Sequence, residues 1–248
     1  MMSDSIQSNQ QSNDSSYGSI EKAISGDYEF SVFGVISEAW DKTSGAKWPI
    51  HLAFLFYFLV TIAIVVVAVI AITALSIGAV ATDSTMPLLM QIVLQIVMNL
   101  IMLPMIMGIV MMGIKRSVDS PISSSSVFAY FSRMFMLLLT IIIMYIMVAI
   151  GFFLLIIPGI YLMVAYYMAL PLVVEKQMGP WQALETSRKT INHCWFRMVG
   201  FMIVLSVVLT ISMIPLGIGL IWSLPLFIIA YGIVYRNMFG VEPMTLEQ

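Results

Sequence analysis

Residues 52–82 read LAFLFYFLVTIAIVVVAVIAITALSIGAVAT and contain no charged side chain. A helix needs about 20 apolar residues to cross a hydrocarbon core of ~30 Å, so this run can span a bilayer. Residues 86–114, 134–174 and 198–235 are also free of charge, and each of the last two can hold two helices joined by a tight turn. The sequence therefore predicts an all-α polytopic membrane protein of three transmembrane hairpins, with spans at about residues 50–80, 86–114, 134–157, 160–176, 198–214 and 218–235.

The basic residues indicate how these spans are oriented. Cytoplasmic loops of membrane proteins carry an excess of Lys and Arg. The three predicted far-side turns contain neither residue, and their only charge is Asp83. We therefore expect a multi-pass protein of the inner (plasma) membrane with cytoplasmic N- and C-termini. All eleven basic residues then lie on one side: Lys22, Lys42, Lys47, Lys115, Arg116, Arg133, Lys176, Arg188, Lys189, Arg197 and Arg236.

Composition excludes several classes of protein. Hydrophobic residues make up 60% of the chain and charged residues 10%, whereas soluble domains carry about 25% charged residues. The net charge of −2 argues against a nucleic-acid partner. A single cysteine, Cys194, rules out a disulfide framework or a Cys-rich metal site, and we expect no cofactor. Residues 1–28 are polar and predicted to be disordered, while residues 241–248 form a short tail.

Two segments outside the spans have the pattern of amphipathic helices. In residues 31–48, one helical face carries apolar side chains and the opposite face carries Glu38 and Lys42. Residues 180–195 align with this segment without gaps, and the Ser-Val-Phe sequence at residues 126–128 echoes its beginning. The pattern predicts an interfacial helix before each hairpin, in the cytoplasmic headgroup layer; the alternative is that these helices pack on the bundle. The predicted apolar face of the first segment comprises Val32, Phe33, Ile36, Ala39, Trp40 and Thr43, and that of the third comprises Leu184, Ile191, Trp195 and Met198.

The last two hairpins are predicted to be short. We place their turns at Pro158-Gly159 and around Pro215, because Pro and Gly interrupt helices. This leaves legs of 15 residues (160–174) and 17 residues (198–214). Such legs reach only ~22–26 Å, so either the bilayer thins locally or neighbouring residues complete the crossing. The alternative is a hairpin that turns back inside the membrane. We expect full crossing, with Tyr161 and Trp222 at the far interface.

The stretch from Ile157 to Arg197 carries a family resemblance. It contains PGIYL, then a Pro-Leu-Val-Val-Glu exit, then a Gly-Pro-x-x-Ala-Leu-x-x-Ser helix. These features resemble the bacterial YciC-like six-span membrane proteins of unknown function and the membrane domain fused to some glycerophosphodiester phosphodiesterases. The resemblance implies six spans with interfacial helices. It implies no phosphodiesterase activity, because no such catalytic domain is present.

Two sets of residues are candidate functional sites. Gln91, Gln95 and Asn99 form a polar stripe on the second span, which either lines a pathway or makes interhelical hydrogen bonds, and we favour the hydrogen bonds. His193 adjoins Cys194, but consecutive helical residues do not face each other, and no carboxylate stands nearby in sequence to orient the imidazole. We therefore assign no catalytic or metal-binding residue. Basic residues near the headgroup layer are candidate contacts to lipid, namely Lys42, Lys47, Arg188, Lys189 and Arg197.

These observations favour a non-enzymatic membrane protein that organises or interacts with lipid or with membrane partners. Membrane lipids are the expected partners, with other membrane proteins as further candidates and no nucleic acid. One alternative is a passive channel or carrier for a small neutral or weakly polar solute, lined by the stripe. Another is an accessory subunit of a membrane enzyme. Ion-coupled transport usually requires an ionisable residue deep in a span, and none lies deep in the predicted spans.

Overall fold

The computed structural model describes residues 17–78 and 86–246, and their regular secondary structure is entirely helical. The short helices outside the main apolar runs are α1 (Ile20–Ser25), α2 (Val32–Lys42), α8 (Pro180–Asn192) and α11 (Pro243–Leu246). The apolar helices are α3 (Lys47–Gly78), α4 (Met86–Ser117), α5 (Met134–Leu154), α6 (Ile156–Ala165), α7 (Ala169–Glu175), α9 (Trp195–Met213) and α10 (Leu220–Phe239).

Six helical segments in the described chain are long and apolar enough to cross a membrane. This confirms the prediction of an all-α, multi-pass membrane protein. The segments are Lys47–Ala71, Ile92–Ser117, Ser124–Leu154, Ile156–Glu175, Trp195–Met213 and Leu220–Phe239.

The break between the third and fourth segments lies earlier than predicted. Leu155 is extended (φ −162°, ψ 154°) and separates α5 from α6, so the expectation of a turn at Pro158-Gly159 is wrong. Pro158 instead occupies the first turn of α6, where its missing N–H removes no helical hydrogen bond. Gly159 packs against Gly151 so closely that a Cβ on Gly151 would lie 3.1 Å from the Gly159 Cα.

The turn between α9 and α10 satisfies much of its own backbone. Leu216 and Gly217 adopt positive φ values of 53° and 78°. The amide of Gly217 donates to the carbonyl of Met213 at 3.1 Å, and that of Ile218 donates to Pro215 at 3.0 Å. Such internal bonds allow an apolar turn to lie in hydrocarbon, where no water can replace them.

The middle repeat unit lacks the expected amphipathic α-helix. Two 3-10 helices, Ser124–Phe128 and Phe131–Arg133, stand in its place. Ser123 caps the first of them, and its hydroxyl accepts a hydrogen bond from the Ser125 amide at 3.4 Å. Serine side chains compete with helical backbone bonds in this way. The echo of the first repeat at residues 126–128 therefore does not extend to an α-helix.

Helices α4 and α10 form the centre of the bundle and run parallel. At their crossing, a Cβ on Gly113 would lie 2.1 Å from the Ile228 carbonyl oxygen, and one on Gly232 would lie 2.2 Å from the Gly113 oxygen. Only glycine permits this approach, as at other close contacts between membrane helices. Four residues further along both helices, the Arg236 guanidinium donates to the Ser117 carbonyl.

A cluster of buried polar groups joins the C-terminal ends of α4, α7 and α10. The Arg236 guanidinium binds both carboxylate oxygens of Glu38 on α2, at 2.8 and 3.1 Å. Glu175 accepts bonds from the Tyr235 hydroxyl at 2.9 Å and the Glu242 amide at 2.6 Å. These contacts fix α2 and the C-terminal segment to the bundle.

Candidate lipid-binding site

Helix α2 is apolar on two faces. Val35, Ala39 and Thr43 are buried against the bundle. Phe33 and Trp40 were assigned to the same face by the sequence pattern, but they are 76% and 54% exposed. The predicted single apolar face therefore divides into an inner face that packs on the bundle and an outer aromatic face.

Helix α8 has a similar arrangement. Leu184 and Ile191 are buried as predicted, while Trp181 at the start of the helix is 60% exposed. On the outer side, Glu185 accepts two hydrogen bonds from Arg188, at 2.8 and 2.9 Å. These bonds lower the pKa of the Glu185 carboxyl and raise that of the Arg188 guanidinium. The pair is charged at neutral pH, so this surface is polar beside Trp181.

A cavity of about 770 Å³ opens where the start of α6 meets the junction of α8 and α9. Ile157 and Ile160 of α6 form one wall, and residues 192–197 form the other. The two walls are joined by hydrogen bonds at 3.3 Å from the Tyr161 hydroxyl to the Asn192 side chain and from the Trp195 indole to the Tyr161 carbonyl. The cavity is thus apolar on the α6 side and polar at the junction.

These contacts also place Tyr161 and Trp222 differently from the prediction. Both residues are expected at the far interface. The structure places Tyr161 beside Asn192 and Trp195, and the centre of the Trp222 ring 5.4 Å from the Lys47 ammonium. Asn192, Trp195 and Lys47 belong to segments that are predicted to be cytoplasmic. Straight helices perpendicular to the membrane would not make these contacts, whereas steeply inclined or partly inserted helices would.

Arg197 provides the positive charge of the cavity. Its guanidinium lies 5.6 Å from the centre of the Phe30 ring, a cation–π contact. Within the part of the chain that the structure describes, no carboxylate lies within salt-bridge distance of it. The described residues that line the cavity include no Asp or Glu. Its charge is therefore available to an anion.

The side chains of His193 and Cys194 point to different partners. The His193 Nε2 atom lies 3.0 Å from the Ile24 carbonyl, so it carries a proton and donates to that oxygen. The Tyr28 hydroxyl lies 2.6 Å from the Thr190 carbonyl and 3.1 Å from the Cys194 sulfur. Burial raises the pKa of the Cys194 thiol. A protonated thiol is a poor nucleophile, and these contacts serve to fix the N-terminal segment to α8.

The other four predicted headgroup contacts have partners within the protein. Lys42 pairs with Asp119 and lies 3.9 Å from Glu38. Lys47 lies over the Trp222 ring, and Arg188 and Lys189 pair with Glu185. Among the described residues, Lys47 and Arg197 both lack a carboxylate partner and each contacts an aromatic ring, but of these two only Arg197 lines the cavity.

The Asn99 side-chain amide in the polar stripe bonds within its own helix. The Asn99 amide donates to the carbonyl of Gln95 in its own helix at 2.7 Å, and Gln95 is exposed on the bundle surface. The side chain of Gln91 lies outside the described residues. Among the described residues, neither an interhelical hydrogen bond nor a lumen is found at Gln95 and Asn99.

Sequence reasoning missed two parts of this region. Nothing in the pattern indicated that Glu38 pairs with Arg236, since 198 residues separate them. Nor did it bring Ile157 and Phe196 to one cavity, although both are apolar residues beside a predicted turn or membrane entry. Only a tertiary contact between α6 and α9 defines this site.

The chain matches no family model, no curated protein and no solved structure. Among the described residues, no group of three or more His, Cys, Asp or Glu side chains is placed to hold a metal ion. The function is therefore inferred from the geometry of this surface and cavity.

Proposed function

We propose that this protein is a non-enzymatic component of the inner membrane, with cytoplasmic termini, that binds and organises bilayer lipids. The observation that supports this most strongly is the outer aromatic face of α2 and α8, formed by Phe33, Trp40 and Trp181. Large apolar side chains exposed together mark a surface that another apolar phase covers. In a membrane protein, that phase is the bilayer.

Aromatic side chains of this kind favour the headgroup boundary. Trp places an apolar ring in the outer hydrocarbon and its N–H among polar headgroups. Trp48 and Phe196, at the starts of α3 and α9, are also 79% and 85% exposed. Helices that lie at the boundary displace headgroups and alter lipid packing around the bundle, which is the organising role that we propose.

Fluorescence quenching by lipids with brominated acyl chains tests this proposal. Five variants, each retaining one of the five tryptophans with the others replaced by Phe, are reconstituted in vesicles. We expect strong quenching of Trp40 and Trp181, because bromine quenches on contact. Aqueous iodide applied to the same variants is the control, because it quenches indole rings that face water. The proposal would be contradicted if aqueous iodide quenched Trp40 and Trp181 while bromolipid did not.

The same vesicles test the two alternatives. A passive channel or carrier would release a small neutral solute faster than protein-free vesicles do. We expect no increase, because the Asn99 amide is bonded to its own helix and Gln95 lies on the bundle surface. An accessory subunit would co-purify stoichiometrically with an enzyme after mild cross-linking. Flux above background, or such a complex, would replace lipid organisation as the function.

A further inference from the structure

We infer that the cavity between α6 and the α8–α9 junction binds an anionic amphiphile, with an acidic headgroup at Arg197 and one acyl chain along the α6 wall. This inference rests on the proposed lipid-binding function and names the class of lipid and its site. The ligand's phosphate could also come from free phosphate, so the test includes both.

The dimensions of the cavity suit such a ligand. Its volume of about 770 Å³ lies within the range of ~300–1,000 Å³ typical of small-molecule sites. Such sites are mostly apolar and have a few placed polar groups that orient the ligand. Here the polar groups gather at residues 192–197 and the apolar ones at residues 157 and 160.

The polar end selects negative charge. Among the described residues that line the cavity, only Arg197 has a permanent charge, and its planar guanidinium suits two-point binding of phosphate or carboxylate. No side chain caps the first turn of α9, where the chain carries Trp195, Phe196 and Arg197. Unbonded N–H groups at a helix start add to the positive potential. A zwitterionic headgroup would bring a cation toward the same arginine and bind less tightly.

The apolar end connects with the membrane. Ile157 is 79% exposed, and Phe153, in the last turn of α5, is 91% exposed. Large apolar side chains occupy all positions from 153 to 157. A ligand's acyl chain that leaves the cavity past Ile157 therefore continues along an apolar protein surface into the surrounding hydrocarbon. An amphiphile can be held at both ends without detaching from the bilayer.

Native mass spectrometry of the full-length protein, released from micelles, tests the site. The probes are lysophosphatidylglycerol, lysophosphatidylcholine of the same chain length, and inorganic phosphate. We expect the anionic lysolipid to bind at least tenfold more tightly than the zwitterionic one, and Arg197→Gln to remove this preference. Lys189→Gln is the charge-matched control, because Lys189 pairs with Glu185 outside the cavity lining. It should keep the preference.

A second variant examines the apolar wall. Ile157→Ser should weaken both lysolipids equally while leaving the preference for anionic lipid intact. An unchanged preference in Arg197→Gln, equal binding of the two lysolipids, or phosphate binding as tight as that of the anionic lysolipid would overturn the inference. Bromolipid quenching of Trp40 and Trp181 in Arg197→Gln separates the two proposals. If Arg197→Gln loses the preference for anionic lysolipid but keeps the quenching, both the proposed function and the lipid site are supported. If Trp40 and Trp181 are not quenched in the protein with Arg197 intact, the proposed function itself is rejected.

Discussion

Arg236 and Arg197 are both arginines at the ends of apolar helices, but their surroundings differ. Arg236, at the end of α10, is 7% exposed and binds Glu38, the Ser117 carbonyl and the Asn237 side chain, with the Tyr17 ring 4.7 Å from its guanidinium carbon. Arg197, at the start of α9, is exposed and contacts an aromatic ring. The first arginine is saturated by the protein, and the second retains donors for a ligand.

The two helices differ in the same way. In the most apolar window of α10, 67% of residues are buried, against 17% for α9. A helix at the centre of a bundle must satisfy its terminal charge internally, because neither water nor headgroups reach it. A peripheral helix can leave that charge to lipid. Burial therefore indicates which basic residues hold the fold together and which face the bilayer.

Arg236→Gln should cause the largest loss of stability. Breaking a buried ion pair costs about 3–5 kcal/mol, and we expect the lower end because Glu38 remains partly exposed. Arg197→Gln should change the unfolding free energy by less than about 0.5 kcal/mol, as is usual for surface sites. Denaturant unfolding in micelles measures both values. Equal losses in the two variants would remove the distinction between the two arginines.

Gly232→Ala should cause the next largest effect. The added methyl group would overlap the Gly113 carbonyl oxygen, so α4 and α10 must separate. Overpacking of this kind costs about 1–3 kcal/mol. Gly200→Ala on α9 is the matched control, because its methyl group would meet no atom within 4 Å and should be tolerated. A neutral Gly232→Ala would show that the close crossing of α4 and α10 does not stabilise the bundle.

Asn99→Leu should have the smallest effect of the three. Interhelical hydrogen bonds in membranes contribute about 0.6–2 kcal/mol, but the Asn99 amide bonds to its own helix. We therefore expect a loss below about 0.6 kcal/mol in the same unfolding assay. A larger loss would indicate that Asn99 contacts a partner, as the original interhelical interpretation of the stripe requires.

Hydropathy predicted the six apolar segments because crossing a bilayer depends on local composition. The turn before α6 was misplaced because Pro158 is compatible with the first helical turn, so the Pro-Gly pair marked the start of a helix rather than the bend. The α2 face was misassigned because Val35 and Phe33 differ little in hydrophobicity. Which of them faces the bundle depends on packing against α10, not on the helical period.

The candidate site was predicted only in part. Arg197 was identified from its position at a membrane entry, together with four other basic residues. The structure pairs three of them with carboxylates and places the fourth, Lys47, over the Trp222 ring. The pairing of Glu185 with Arg188 and Lys189 follows from the helical period, whereas the contacts of Lys42 with Asp119 and of Lys47 with Trp222 join residues distant in sequence. A single sequence shows where charges lie along the chain and not which charges are already neutralised.

The most direct test of this distinction is thermal unfolding during titration with anionic lysolipid. A ligand that binds only the folded state raises its stability as concentration increases. We predict that Arg236→Gln begins at a lower unfolding temperature but shows the same lipid-dependent rise as the wild type. Arg197→Gln should begin at the wild-type temperature and show no specific rise beyond that with the zwitterionic lysolipid. A wild-type rise of the unfolding temperature with anionic lysolipid in Arg197→Gln would contradict the assignment of the lipid site to Arg197. So would the loss of that rise in a folded Arg236→Gln variant.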